Sequence, residues 1–329
     1  MSAHATPLHS PDAGARPQGP RIAVVVPCYN EALTIAQLVR DFQQHLPQAQ
    51  VYVFDNNSKD NTAQVAREAG AVVRRVTMQG KGSVVRRMFA DIEADAYIMI
   101  DGDGTYHASA APRLGDKLWR EGLDMVVGCR VSTEQAAYRF GHRAGNSMLT
   151  GFLSLIFGRT FTDILSGYRV FSRRYVKSFA AHSSGFEIET ELTVHALELR
   201  MPVAEVETAY GARPDGSVSK LNTYRDGIRI LTTILRLFKS EKPLGFYSIA
   251  FAVCALVSVY LSVPLFATFI ETGLVPRLPT GVLGTALMLF GVVLLAWGVI
   301  LGAVTKGRIE LKRFSYLSVP AFDPPQGHD

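Results

Sequence analysis

Two aspartates spaced i, i+2 stand directly behind an apolar run in Ile100-Asp101-Gly102-Asp103-Gly104. Carboxylate oxygens are hard donors, and a pair of them at a strand end suits a divalent cation that also takes diphosphate oxygens. A cation so placed neutralises a departing nucleoside diphosphate. Taken alone, the pattern is weak, and a solvated turn is its default reading. Two more acids, however, follow short apolar runs: Glu31 behind Pro27-Cys28-Tyr29-Asn30, and Asp55 ahead of Asn56-Asn57-Ser58-Lys59-Asp60. Helix capping accounts for Asn30 and Asp60, which stand where N-caps belong. It does not account for one edge collecting Glu31, Asp55, Asp101 and Asp103. Gly80-Lys81-Gly82 precedes a helical pattern, so Lys81 and a helix N-terminus can approach a phosphate. The spacing of a P-loop is absent. Gly185-Phe186-Glu187-Ile188-Glu189-Thr190-Glu191 carries three carboxylates at spacing two, either as site acids or as acids at the positive end of a helix dipole. The polar stretch from Arg213 to Lys220 reads as a loop that closes over phosphates, or as a plain linker.

The elements that position these residues follow from hydrophobic periodicity. Ile22–Val26 is a β-branched run that stops at Pro27, and Ile35, Leu38, Val39, Phe42 and Leu46 then fall on one helical face behind Asn30. The pattern repeats with a strand Val51–Asp55, a helix from about Asn61 to Gly70, a strand Ala71–Val76 and a helix through Val85, Met88, Phe89 and Ile92. Tyr97–Ile100 and Met125–Val127 supply two further strands. Alternating strands and helices predict an α/β fold with a mostly parallel, doubly wound sheet, whose ligands bind at the carboxyl ends of the strands. That edge is where the acids lie.

The chain divides into five stretches. Residues 1–20 lack apolar periodicity and a continuous apolar core, so they read as a flexible tail rather than a secretory signal. Residues 21–224 form the α/β domain. In 225–242, apolar Ile228, Leu231, Leu235 and Phe238 alternate with Arg225, Arg229, Arg236 and Lys239, as in a membrane-surface helix or an ordinary amphipathic helix packed on the domain. Within 243–305, Leu244–Ile270 and Pro279–Val304 contain no charged side chain, and each is long enough to cross a hydrocarbon core of about 30 Å. Glu271–Leu278 joins them as a tight hairpin, and 306–329 is a basic tail. Arg236, Lys239 and Lys242 precede the first span and Lys306, Arg308, Lys312 and Arg313 follow the second, while the connection holds only Arg277. This bias predicts an integral membrane protein of two spans, with the α/β domain and both termini cytosolic.

Composition limits the alternatives. The net charge of +5 fits anionic lipid or a phosphorylated substrate. With no long Lys/Arg run and no interleaved aromatic stripe, nucleic acid is excluded as a partner. Three cysteines without CxxC spacing suggest neither a disulfide framework nor a zinc site, and the eight histidines show no paired-ligand spacing.

The ordered set Val26-Pro27-Cys28-Tyr29-Asn30-Glu31, Phe54-Asp55-Asn56-Asn57-Ser58-Lys59-Asp60-Asn61-Thr62 and Asp101-Gly102-Asp103-Gly104 resembles family 2 glycosyltransferases of the GT-A fold. The similarity runs from about Arg21 to Asn222. Within the family the chain is most similar to dolichol- or polyprenyl-phosphate glycosyltransferases with a C-terminal membrane hairpin. The resemblance implies an inverting transfer from a UDP- or GDP-linked sugar to a polyprenyl phosphate, with Mg2+ or Mn2+ as cofactor. It places Pro27, Asn30, Glu31 and Asp55 around the nucleotide and Asp101 and Asp103 at the diphosphate and metal; Lys81, Arg213 and Lys220, from the turn and loop described above, are expected to bind the same donor. The stretch Asp163–Phe171 is similar to the family's acceptor-side segment, and Gly128-Cys129-Arg130 to its Gly-Ser-Arg. Arg130, Arg143 and Arg169 are thereby the expected phosphate-binding arginines, and Asp163 a positioning group or weak base. A site contribution is expected from Glu187 or Glu189.

Two departures bear on this assignment. Asn56 stands where many relatives have a second Asp, and Thr105 where close relatives often have Gln, which leaves the third metal ligand open. A processive polysaccharide synthase shares the fold but carries a Gln-x-x-Arg-Trp segment and more spans, neither of which is present. A non-catalytic nucleotide-binding scaffold is the other alternative, against which the intact Asp101 and Asp103 count. A homo-oligomer is left open.

Overall fold

The run IAVVVPC forms β1 (Ile22–Cys28), and its alternate residues serve two cores. Ala23 and Val25 pack into one hydrophobic cluster, Val24, Val26 and Cys28 into the other. A strand buried on both faces needs continuous apolar sequence, and this is the strand from which the sheet is built outward. The computed structural model describes residues 19–132, 150–155, 158, 161–180, 185, 187–211, 232–233 and 235–321. Residues 1–18 of the expected tail 1–20, Arg143, Arg213, Lys220, and 225–231 and 234 of the amphipathic segment lie outside the described residues.

Around β1 the chain adds α1 (Ile35–His45), β2 (Ala49–Asp55), α2 (Thr62–Glu68), β3 (Val72–Arg75), α3 (Lys81–Asp91), β4 (Ala96–Met99), α4 (Ala111–Arg120) and β5 (Met125–Ser132). Then follow β6 (Arg169–Ser172), α5 (Arg173–Ser178), α6 (Ile188–Glu198) and β7 (Val203–Tyr210). The seven-stranded sheet has the order β3-β2-β1-β4-β6-β5-β7. All pairings are parallel except those of β6, which runs antiparallel to both β4 and β5. Helices α1, α2 and α4 contribute Ile35, Phe42, Ala66 and Leu114 to the core on one face; α3, α5 and α6 contribute Met88, Phe89, Tyr175 and Leu192 on the other. The doubly wound, mostly parallel sheet expected from periodicity is therefore present.

Pro27 does not end β1, which continues to Cys28. Its missing N–H falls beyond the last β1–β4 pair, Val25↔Met99, where the ladder on that side has already stopped. Asn30 is not the N-cap of α1 either: that helix starts at Ile35 behind Thr34.

Two long helices follow, α7 (Pro243–Thr272) and α8 (Leu278–Leu317), both long and apolar enough to cross a membrane. Only 6% and 11% of their apolar windows are buried, so neither is a core helix of the α/β domain. Gly284, Gly291 and Gly298 repeat at seven residues along α8, the spacing that keeps one helix face on its neighbour. Opposite them lie Ser258, Cys254 and Tyr247 of α7, and Ser258 Oγ donates to Gly284 O at 2.7 Å.

A Cβ at Gly298 would stand 2.9 Å from Tyr247 Cβ, whereas one at Gly307 would meet nothing within 4 Å. Both sites gain helix propensity on substitution by Ala, by about 1 kcal/mol. Gly307→Ala is therefore expected to raise the thermal midpoint in detergent micelles, and Gly298→Ala to lower it by forcing α7 and α8 apart. Equal shifts in both variants would remove the close-packing account.

The segment expected as a basic tail from residue 306 is, as far as Leu317, part of α8. The helix continues through it to Leu317, and its polar side chains dock on the α/β domain. The described part of the preceding amphipathic segment, 232–233 and 235–241, is helical; Leu237 packs on the domain core and Phe238 meets Phe152 with ring centroids 5.8 Å apart. Leu235 remains 51% exposed.

Candidate active site

The carboxyl ends of β1, β2 and β4 lie side by side, with Cys28 opposite Asp55 in the ladder and Ile100 N donating to Val25 O. The Cys28 thiol records what gathers there. Burial pushes its pKa well above the ordinary range, and the charges of Glu31, Asp55, Asp101 and Asp103 push it further. The four acids picked out from separate segments thus surround one strand end.

The loops carrying them are stitched together by polar side chains. Asn30 adopts the left-handed region at φ 56°, which a short amide side chain tolerates. Its Oδ1 accepts from Lys59 N at 2.7 Å, its own N–H donates to Ser58 Oγ at 2.9 Å, and Glu31 N donates to Thr62 Oγ1 at 2.8 Å. Asp55 is 5% exposed, and its Oδ1 has no hydrogen-bond partner among the described residues. A buried carboxylate oxygen in that condition awaits a donor from a ligand or water.

Asn56, the departure from the family's second Asp, has a structural reason. Its Nδ2 donates to Val76 O at 2.9 Å and Met78 O at 2.8 Å, while Oδ1 accepts from Gly80 N at 2.7 Å. An amide meets all three needs and a carboxylate meets one. Asn56→Asp would set a charge against two carbonyls, and the loss is expected to be about 2 kcal/mol or more in denaturant unfolding at pH 7. An unchanged midpoint would show that this loop is not held through Asn56.

Lys81 opens α3 and reaches two acids at once, Asp101 Oδ1 and Glu189 Oε1, each at 2.5 Å. Burial alone would lower its pKa, but Asp101 and Glu189 hold it well above the ordinary lysine range. Glu189, 4% exposed, is pushed up chiefly by burial, against the pull of Lys81, and its Oε2 has no hydrogen-bond partner among the described residues. Of the two candidate acids, Glu189 faces the Asp101 edge. Glu187 lines a separate cavity of about 300 Å3 between α6 and the docked end of α8, away from the carboxylate pair.

Asp103 is 6% exposed, and its Oδ1 accepts from Thr105 N at 3.1 Å and Thr105 Oγ1 at 2.6 Å. The turn permits no side chain at two positions. A Cβ at Gly102 would lie 2.7 Å from Cys28 Sγ, and one at Gly167 would collide with the Asp101 carboxylate. Gly167 is held there by Tyr106, whose buried Oη accepts from Gly167 N at 3.0 Å and lies 3.3 Å from Ser166 Oγ. Tyr106 and Ser166 escaped the sequence reading, although one lies in the turn after Asp103 and the other inside the segment Asp163–Phe171.

The arginines separate. Arg130 forms a bidentate pair with Asp163, both contacts at 2.7 Å, and its guanidinium sits 5.5 Å from the Tyr210 ring centroid. Arg169, expected at the acceptor phosphate, is 0% exposed. Its nitrogens donate to Ser166 O and Thr193 Oγ1, each at 2.9 Å, and to Ile164 O. A guanidinium so enclosed ties the 164–166 loop to α6, and no ligand phosphate reaches it.

Comparison with known proteins bears on the family and the fold. The model of the family described as Glycosyl transferase family 2 matches residues 23–179. Glycosyltransferase AglJ of Haloferax volcanii is 35% identical over 303 residues, covering 90% of this chain and 98% of that protein. The chain belongs to glycosyltransferase family 2. The dolichyl-phosphate hexose transferase of the same organism is 26% identical to this glycosyltransferase over 67% of the chain and 95% of that protein. Glucosyl-3-phosphoglycerate synthase from Mycobacterium tuberculosis, solved with Mn2+ and uridine diphosphate, superposes with a TM-score of 0.53 over 67% of the chain and 80% of its own. At 23% identity that likeness establishes the GT-A fold.

Among the described residues of the glycosyltransferase, no group of three or more His, Cys, Asp or Glu forms a metal cage. The donor set nonetheless fits Mg2+ or Mn2+, which are commonly held by one or two carboxylates together with substrate phosphates and water. Asp101 and Asp103 supply such a pair, and Lys81 lies beside them, 2.5 Å from Asp101 Oδ1.

Proposed function

We propose that this glycosyltransferase moves a sugar from a UDP- or GDP-linked donor onto a polyprenyl phosphate at the cytosolic face of a membrane, with inversion. The observation that carries the reading is a strand-end edge of four acids and a lysine, on a domain to which an apolar two-helix hairpin is docked. The name of the dolichyl-phosphate hexose transferase relative supports a lipid-phosphate acceptor. The basic residues flanking the hairpin support the cytosolic orientation.

Asp55 receives the base through its unpartnered oxygen, with Pro27, Asn30 and Glu31 shaping the adjoining wall. Asp101 and Asp103 hold the divalent cation, which when bound neutralises the leaving nucleoside diphosphate. Lys81 stabilises the same charge from the α3 N-terminus, and Arg213 and Lys220 are assigned to donor binding. The acceptor phosphate, its second pKa near ~6, is already an anionic nucleophile at neutral pH and needs no strong base. Its oxygen attacks the anomeric carbon as the bond to the diphosphate oxygen breaks. Asp163 therefore serves as a positioning group that presents the Arg130 fork to the acceptor, with Arg143 as a second phosphate ligand.

The test is transfer by the full chain in vesicles containing polyprenyl phosphate, with Mg2+ or Mn2+ and a panel of UDP- and GDP-sugars. A lipid-linked sugar with inverted anomeric configuration is the expected product. Transfer to a soluble phosphate monoester such as 3-phosphoglycerate, with none to polyprenyl phosphate, would overturn the acceptor assignment.

A further inference from the structure

We propose that Arg308, Lys312 and Tyr316 are positioning residues that clamp the catalytic domain in a fixed attitude to the bilayer, and so govern transfer to a membrane-embedded acceptor specifically. The inference rests on the function proposed above. The apolar stretch of α8 ends at Val304, yet the helix runs on to Leu317, about 20 Å further at 1.5 Å per residue. Thr305, Arg308, Lys312 and Tyr316 recur at three- and four-residue intervals and therefore share one face.

That face is committed to the domain, through Glu198 and Asp124, and to the helical segment before α7, through Ser240 and Glu241, rather than to lipid headgroups. Lys312 Nζ lies 2.6 Å from Glu198 Oε2, and Arg308 Nη2 lies 2.9 Å from Glu241 Oε1 and 3.4 Å from Glu198 Oε1. The Glu198 side chain is 1% exposed and that of Glu241 8%, so these are enclosed partners and not a screened surface pair. One turn further on, Tyr316 Oη donates to Asp124 Oδ2 at 2.8 Å, and the Arg174 guanidinium sits 4.9 Å from its ring centroid. Thr305 Oγ1 donates to Ser240 O at 3.2 Å.

The places gripped are informative. Asp124 precedes β5 and lies at the sheet edge opposite the catalytic acids, so the clamp touches none of the reacting groups. Glu198 ends α6, whose second residue Glu189 holds Lys81, and the helix between them spans about 14 Å. One rigid element therefore has the membrane stem at one end and the catalytic lysine at the other. The seam itself encloses the cavity of about 300 Å3 lined by His195, Leu237, Glu241, Arg308 and Lys312. Ion pairs surround this hollow, and Leu237 and Tyr316 pack on the domain core beside it. A tether needs only a linker; a continuous helix with paired charges on one face fixes tilt and height as well.

The experiment compares two acceptors with one donor, using the full chain in vesicles: long-chain polyprenyl phosphate embedded in the bilayer, and a short-chain, water-soluble polyprenyl phosphate. For Arg308→Ala with Lys312→Ala, kcat/KM is expected to fall about tenfold or more on the embedded acceptor and to stay within about twofold on the soluble one, since small misplacements of reactants are costly. Lys312→Arg should retain most activity on both. Tyr316→Phe keeps the ring over Arg174 and loses only the bond to Asp124; it should show the same selective loss to a smaller degree, and it serves if the double variant does not fold. Parallel losses on both acceptors by Tyr316→Phe, or no loss on either by any variant, would overturn the clamp while leaving the proposed function standing. Failure of the wild-type chain on both phosphates would overturn the two together.

Discussion

Asp103→Asn is expected to abolish sugar transfer, with a loss of about a thousandfold or more, while the protein folds and inserts as before. The separation of the two effects comes from what the side chain does in the fold. Its Oδ1 accepts from Thr105 N and Thr105 Oγ1, and an asparagine carbonyl can accept both. The turn therefore keeps its bonds. On the proposed function, what is lost is half the negative charge that Asp101 and Asp103 would offer a divalent cation, and with it much of the stabilisation of the leaving diphosphate. Removing one preorganised electrostatic contact commonly costs about 100- to 1,000-fold, and a weakened cation site loses more than one contact. The checks are product formation at saturating Mn2+, Mn2+ affinity by calorimetry in the presence of the nucleoside diphosphate, and the thermal midpoint. Normal turnover by this variant would remove the cation from the mechanism.

Lys81→Met is expected to damage stability and activity together, and the two can then be pulled apart. Lys81 is the counter-charge for Asp101 and for Glu189, which is 4% exposed. Breaking a buried pair by removing one partner costs about 3–5 kcal/mol, because the remaining charge is left uncompensated. Glu189 already has a pKa raised by burial, and loss of Lys81 removes the influence that lowers it. An acid whose folded-state pKa lies above its unfolded value binds its proton more tightly in the folded protein. Its penalty therefore grows as pH rises above the unfolded pKa and is relieved as pH falls. Lys81→Met should thus melt closer to wild type at pH 5 than at pH 8. Adding Glu189→Gln should recover stability at pH 8 but not transfer, since the cation near the diphosphate is still missing. Recovered transfer in the double variant would confine Lys81 to a structural role.

The strands that carry the site were legible because each is a short apolar run cut off by polar residues, and a parallel strand buried on both faces has no other way to be written. The same rule hides β6 and β7. Arg169–Ser172 begins with an arginine, and Val203–Tyr210 carries Glu205 and Glu207 on an edge strand beside β5. Neither looks like buried apolar sequence, so the antiparallel insertion between β4 and β5 was not foreseen. The arginines show the limit from the other side. Arg130 and Arg169 are equally polar on paper, yet one meets Asp163 at a partly exposed edge and the other is enclosed by Ser166, Ile164 and Thr193.

By itself the sequence determined the alternation of strands and helices, the edge on which Glu31, Asp55, Asp101 and Asp103 would meet, and the two apolar helices. These depend on local periodicity and on the rule that parallel strands end together. Tertiary structure alone decided that Lys81 bridges Asp101 and Glu189, that Arg169 is enclosed, that Asn56 is needed as an amide, and that the basic end of α8 is a docked helix. Each of these depends on which opposite charge or unsatisfied carbonyl comes within about 3 Å after folding, a distance that joins residues far apart in the chain and leaves no periodic trace along it.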